Sequence, residues 1–395
     1  MKRTVVVLFS LVFLLIIVVA SRGTAVSDVD ALAYTVSTYG DGTTLYLYDT
    51  SSGKTTVHYQ DDGRLHFVFG SHGLIALSTD WTWENNGELF ILDTTESEPP
   101  LVNLSQQIGM AGYPLGWSDD GSYLAFASEI DDGQRQAIYV WDGASTTDIT
   151  PQNMPGIPHS FDIAWSPDGC LAFTIWFGSS NHDPRSEIYI WDGETTFNLS
   201  QNVDAEDREP VWNTRGELAF GSYRDNEMML LLWDGISYVD GLPDMSSFTR
   251  VAPQLRIFSP DSTWVNDDLL AFEGFEPDSS QIQIFDWNGQ TWSNISQNSD
   301  AHSYGAQWGQ DGYWAFVTDE RRLYVRDPQN NTVFETAGWY MPAWSSGGSL
   351  IFCDRIGRGP WKLSRWDRAS VSTLVQGDII YAQWRSGQEV VCSDG

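Results

Sequence analysis

Lysine is almost missing from this chain of 395 residues: only Lys2, Lys54 and Lys362 occur, and 21 basic residues face 53 acidic ones. The net charge of −32 repels phosphate backbones and anionic headgroups, so no nucleic-acid partner is expected. Cysteine is scarce too. Cys170, Cys353 and Cys392 make neither a disulfide framework nor a zinc set, and no Cys-x-x-Cys occurs. All are read as buried apolar thiols, because strands of neighbouring repeats should stand too far apart for disulfide geometry. Histidines 58, 66, 72, 159, 182 and 302 are scattered, so no metal site and no cofactor are expected. The chain has no Gly-x-Ser-x-Gly elbow, no His-Glu-x-x-His, no phosphate-binding glycine loop and no Asp-rich calcium loop. No segment after residue 26 has the apolar spacing of an amphipathic helix.

What the chain has is tryptophan in a repeating frame. Trp165-Ser166-Pro167-Asp168-Gly169 leads to Leu171-Ala172-Phe173 and then to Ile188-Tyr189-Ile190-Trp191-Asp192-Gly193. Proline presets φ in the first turn, aspartate bonds nearby backbone and glycine accepts positive φ, so the chain reverses there. The triplet reads as a buried strand, the alternating Ile/Tyr/Ile/Trp segment as a second, and Asp-Gly as another tight turn. Trp117, Trp212, Trp308, Trp344 and Trp384 open similar units, and Phe69 and Phe258 are assigned the same slot where tryptophan is absent. Markers at 69, 117, 165, 212, 258, 308, 344 and 384 lie 36 to 50 residues apart, a period that fits a four-stranded meander. Such a unit cannot bury its apolar faces alone and must join an array.

The aromatic, Ser-Pro-Asp-Gly and Leu-Ala-Phe signature over roughly residues 31–395 resembles the TolB-type, WD40-like β-propeller repeat. That resemblance implies an all-β, single-domain β-propeller of four-stranded blades, and implies protein interaction as its general use. Eight markers and eight third strands favour eight blades; seven remains the alternative because the last two spacings are short. The last marker, Trp384, lacks a third strand and the first third strand, Tyr46-Leu47-Tyr48-Asp49, lacks a marker. The C-terminus is therefore expected to complete the N-terminal blade, with Ala33-Tyr34 and Val391-Cys392 competing for its second strand.

Lys2-Arg3, the apolar run from Thr4 to Ala20 and Gly23-Thr24-Ala25 make residues 1–25 a signal peptide or an N-terminal membrane anchor. Either places the propeller of residues 31–395 outside the cytoplasm, secreted, periplasmic or on the cell surface, and touching a membrane only through that anchor. Asn103-Leu104-Ser105, Asn198-Leu199-Ser200 and Asn294-Ile295-Ser296 are read as repeat features rather than glycan acceptors, and the aspartates of the tight turns as turn formers.

In a meander the short turns share one face and the long connections the other, where function usually sits. Residues there that the repeat does not require form the candidate binding set: Trp81, Trp83, Trp176, Phe177, His182, Asp183, Arg224 and Glu273. Exposed aromatics among charges suit protein recognition. The expected function is a monomeric, non-enzymatic module that binds an extracytoplasmic protein, with no catalytic residue assigned. The alternatives are a glycan-acting enzyme using two of Glu84, Asp183, Glu273 and Asp319, and a propeller binding a small ligand or metal.

Overall fold

The structure, a computed structural model, describes residues 31–393 apart from 39–41, 71, 80–86, 96–100, 131–134, 153–161, 177–184, 237, 240–241, 299, 310, 338–341, 356 and 386–387. The leader therefore lies outside the described residues, as do Trp81, Trp83, Glu84, Phe177, His182 and Asp183. No helix among the described residues is long and apolar enough to cross a membrane.

Each repeat folds as the turn chemistry dictates, into four antiparallel strands. Blade 3 is typical: Ile163–Trp165, Leu171–Trp176, Ser186–Trp191 and Thr196–Asn198 pair in sequence order. In its first turn Ser166 Oγ accepts the Cys170 amide at 2.9 Å and Gly169 takes φ 84°. In the second turn, Asp192 Oδ1 accepts the amides of Glu194 and Thr195. The Asn-x-Ser segments are a repeat device as well. Asn103, Asn198 and Asn294 each accept the amide three residues on, while Ser105, Ser200 and Ser296 accept the amides of Leu89, Ile188 and Ile284 in the third strand. The one α-helix among the described residues, Leu104–Ile108, is the short turn that Asn103 caps.

Counted from Leu65, blades 1 to 7 are followed by an eighth sheet that joins the two ends of the chain. Its first strand is Ile379–Trp384, and Ala31–Thr38, Gly42–Asp49 and Lys54–Asp61 follow as second, third and fourth. Trp384 faces Leu32 as Trp165 faces Leu171, so Leu32-Ala33-Tyr34 is the missing triplet. The two competing segments both pair. Glu389–Cys392 adds a fifth strand to the other edge of Ile379–Trp384, an edge that in blade 4 is met only by one bridge from Ser186 to Glu206.

Eight apolar clusters fill the gaps between successive blades, including blade 7 against 8 and blade 8 against 1. The ring is closed. Within blades 2, 3, 4 and 7 the marker indole packs on the tryptophan of the third strand, at centroid distances of 6.2 to 6.4 Å. Between blades its Nε1–H donates to the carbonyl just before the preceding marker: Trp165 to Gly116, Trp212 to Ala164, Trp264 to Val211, Trp344 to Gln307 and Trp384 to Ala343, at 3.0 to 3.3 Å.

Two expectations need correction. The marker of blade 5 is Trp264, which pairs with Leu270 and makes the interblade bond, whereas Phe258 is 47% exposed. The first strand here, Arg256–Asn266, is long and bulged between Ile257 and Ser262, which displaces the Ser259-Pro260-Asp261 segment from its turn. Cys353 and Cys392 are not thiols but a disulfide with a Cα–Cα distance of 5.6 Å. Blade distance does not prevent it, because the fifth strand of blade 8 lies face to face with the second strand of blade 7 and turns Cys392 towards Cys353. Cys170 is free.

The disulfide ties the last strand of the ring to a neighbour across 39 positions. Replacing either cysteine by alanine should cost about 2–4 kcal/mol in urea unfolding. Dithiothreitol should destabilise the natural chain by a like amount and leave the variants unchanged. Insensitivity of the natural chain to reductant would contradict the bond.

Candidate functional site

First strands present one edge to the central channel. Three positions before the marker these strands carry a residue that varies from blade to blade, shifted by bulges in blades 2, 4 and 6. Blades 3, 4 and 5 place Asp162, Glu209 and Asp261 there, blade 6 places Gly305, and blades 1, 2 and 8 place His66, Pro114 and Tyr381. One side of this collar is acidic. The other is aromatic, with His66 at 6.1 Å from the Tyr381 ring and its Nε2 at 3.1 Å from the Pro114 carbonyl oxygen.

On the acidic side, three successive first strands lose register: between Arg208 and Val211, between Ile257 and Ser262, and between Tyr304 and Gln307. Bulges re-aim side chains and interrupt pairing. Glu209 accordingly sits at φ 55° and Gly305 at φ 65°, the left-handed region. A cavity of about 250 Å³ opens at these bulges. Glu209, Asp261, Ser262 and Glu273 line it together with Val211, Phe272, Ile284 and Trp308.

Burial and mutual repulsion govern the charge here. Glu273 is 8% exposed, and the Gly305 amide donates to its Oε1 at 2.7 Å. Desolvation, aided by Asp261 and opposed by that hydrogen bond, pushes its carboxyl up to about 7. Glu209 is also pushed up to about 7, by burial and then by Asp162 and Asp261, with Arg208 opposing. Burial raises Asp162 as well, against the Trp176 indole and Arg208. Arg208 itself is paired with Glu206 at 3.0 Å and lies 5.6 Å from the Trp176 ring centroid. No group of three or more metal-ligating side chains occurs among the described residues.

Of the eight candidate residues, three are described. Glu273 lies in the cavity, and Trp176 stands beside Asp162 and Arg208 on its flank. Arg224 is not brought to it: it pairs at 3.3 Å with the fully buried Asp207 and supports the first strand of blade 4. Asp319 is exposed and does not line the cavity. Asp162, Arg208, Glu209 and Asp261 were missed. Their signal is an acid at the same distance before three consecutive markers, and taking Phe258 as a marker hid it by assigning Asp261 to a turn.

The fold and this site define the class: an eight-bladed β-propeller with an acidic cavity beside its channel. No family model and no curated protein matches the sequence. Among solved structures, prolyl oligopeptidase B from Galerina marginata, bound to a 25mer macrocyclization substrate, aligns over 83% of this chain and 54% of its own at TM-score 0.56 and 11% identity. The β-propeller domain of the Trilobed protease from Pyrococcus furiosus, reported to have an open velcro topology, aligns over 79% and 98% at TM-score 0.51 and 15% identity. TolB from Acinetobacter baumannii aligns over 66% and 62% at TM-score 0.37 and 12% identity, too loosely to add to the repeat motif. The first two show the propeller fold, and this chain spans about half of the Galerina enzyme.

Glu209 and Glu273 hold their protons to higher pH in the folded chain than in the unfolded one, where 4.5 is usual. The folded state thus binds more protons between about pH 4.5 and 7, and their contribution to stability falls as pH rises through that window. Glu273→Gln should match the natural chain at pH 5 and exceed it by about 2 kcal/mol at pH 8 in urea unfolding. An equal difference at both pH values would show that Glu273 titrates normally.

Proposed function

We propose that this chain is an extracytoplasmic, non-enzymatic binding module that holds a protein partner at the loop-rich end of its channel. One observation supports the reading: Asp162 and Trp176, which the repeat does not require, stand together at one end of a closed ring. Asp162 immediately precedes the first strand of blade 3 and Trp176 ends the second, which is the loop-rich end of the meander. At the opposite end Asp142, Asp192 and Asp367 are engaged in capping their own turns. A rigid ring with variable loops is a common binding scaffold. The Cys353–Cys392 disulfide suits an oxidising compartment, in line with the leader. Because every gap between blades is filled within one chain, a monomer needs no second copy to complete its core.

A second reading rests on Glu209 and Glu273. Carboxyls titrating near neutrality can serve as general acids, so acid–base chemistry on a glycan is the competing function.

Capture from an envelope extract, with residues 26–395 as bait, separates the two. Trp81→Ala with Trp83→Ala and Trp176→Ala should weaken partner capture at least about tenfold at nearly unchanged Tm, as expected of aromatic anchors. Asp192→Asn on the tight-turn face should leave capture intact. Equal loss from both faces, or collapse of the triple variant, would overturn the surface assignment. Glycan turnover abolished by Glu273→Gln would replace the binding reading with the enzymatic one.

A further inference from the structure

The cavity at blades 4, 5 and 6 has a lining that a general docking face would not need. Its carboxylates lie beside an apolar wall, Val211, Phe272 and Ile284, and the indole of Trp308. Glu273 is buried, and among the described residues no hydrogen bond reaches its Oε2; only Oε1 is engaged, by Gly305. Ser262 Oγ is likewise buried with no hydrogen-bond partner. Buried polar atoms without partners are costly, so a lining that leaves Ser262 Oγ unpartnered beside the free edge of the Glu273 carboxyl is suited to a donor from outside the chain. Arg208 does not fill that role, since Glu206 and Trp176 hold it on the flank.

We infer that this cavity receives a single cationic side chain, the guanidinium or ammonium of an arginine or lysine on the protein partner. The inference rests on the binding-module reading and names what its central site would hold. Glu273 and Asp261 would take the charged head, and Ser262 Oγ would accept one of its protons. The wall and the indole would pack the aliphatic stem, as long basic side chains bury stem and head in different surroundings. A point cation lacks the stem that this wall fits. The chain's own scarcity of lysine and its net charge of −32 favour approach of a basic partner over another copy of itself.

Calorimetric titration with capped single residues tests this. N-acetyl-arginine methylamide and N-acetyl-lysine methylamide should bind saturably, and N-acetyl-citrulline methylamide, neutral and nearly isosteric with the arginine probe, should not. Methylguanidinium, without the stem, should bind at least about tenfold more weakly than the arginine probe. Glu273→Gln and Asp261→Asn should each weaken that probe by about tenfold or more. Since Glu273→Gln is expected to stabilise the fold, a matching Tm excludes unfolding as the cause. Citrulline binding as well as arginine, an unchanged affinity in Glu273→Gln, or displacement of the probe by calcium at constant ionic strength would overturn the inference. If neither cationic probe binds while envelope capture persists, this receptor is wrong and the binding module stands. Saturable, Glu273-dependent probe binding without any capture would retain the receptor and reject the protein-docking reading.

Discussion

The bond from five of the marker indoles to the first strand before them is the constraint on which the ring depends. A blade's apolar faces could pack on a neighbour at many offsets, because dispersion and burial are not directional. A hydrogen bond from Trp212 to the Ala164 carbonyl permits one offset, and the same bond from Trp165, Trp264, Trp344 and Trp384 repeats it. The residue after the marker is glycine in blades 1 and 6 for a related reason. A Cβ on Gly70 would come within 2.9 Å of the Trp117 ring, and one on Gly309 within 3.2 Å of Trp344. Where the first marker is Phe69 and has no donor, the seam is closed differently, by Gln383 Oε1 accepting the Phe69 amide.

Because that bond fixes neighbouring first strands against one another, side chains just upstream of the markers meet around the channel. The acidic side of the collar is thus a product of register. Burial foremost, and then repulsion from Asp261 and, for Glu209, from Asp162, is why Glu209 and Glu273 retain protons towards neutrality. Sites that violate the rules of stable folding are where function is expected. Here the violations coincide: three bulged strands, a left-handed glutamate and the unpartnered, buried Ser262 Oγ share one cavity.

Much of the fold was readable in advance because the repeat uses turn chemistry that acts locally. Ser166-Pro167-Asp168-Gly169 and Trp191-Asp192-Gly193 specify where the chain reverses whatever surrounds them, and eight such units at one period imply closure. The site was less readable. Glu273 and Trp176 stood out as surplus to the repeat, but Asp261 lay inside a Ser-Pro-Asp segment that looked like every other turn. Only the bulge in Arg256–Asn266 moves that segment into the strand, and a bulge depends on the partner strand rather than on its own residues.

Local composition and periodicity thus decided the elements: all-β blades, their tight turns and the union of the two chain ends. Those properties follow from backbone preferences and from burial patterns that act within a few residues. Pairing across the ring decided the rest. That Glu389–Cys392 extends blade 8 while Ala31–Thr38 also pairs with it, and that Cys392 meets Cys353, depends on two sheets packing face to face. So does the gathering of Asp162, Glu209, Asp261 and Glu273, residues distant along the chain whose proximity arises when interblade hydrogen bonds bring successive first strands into register.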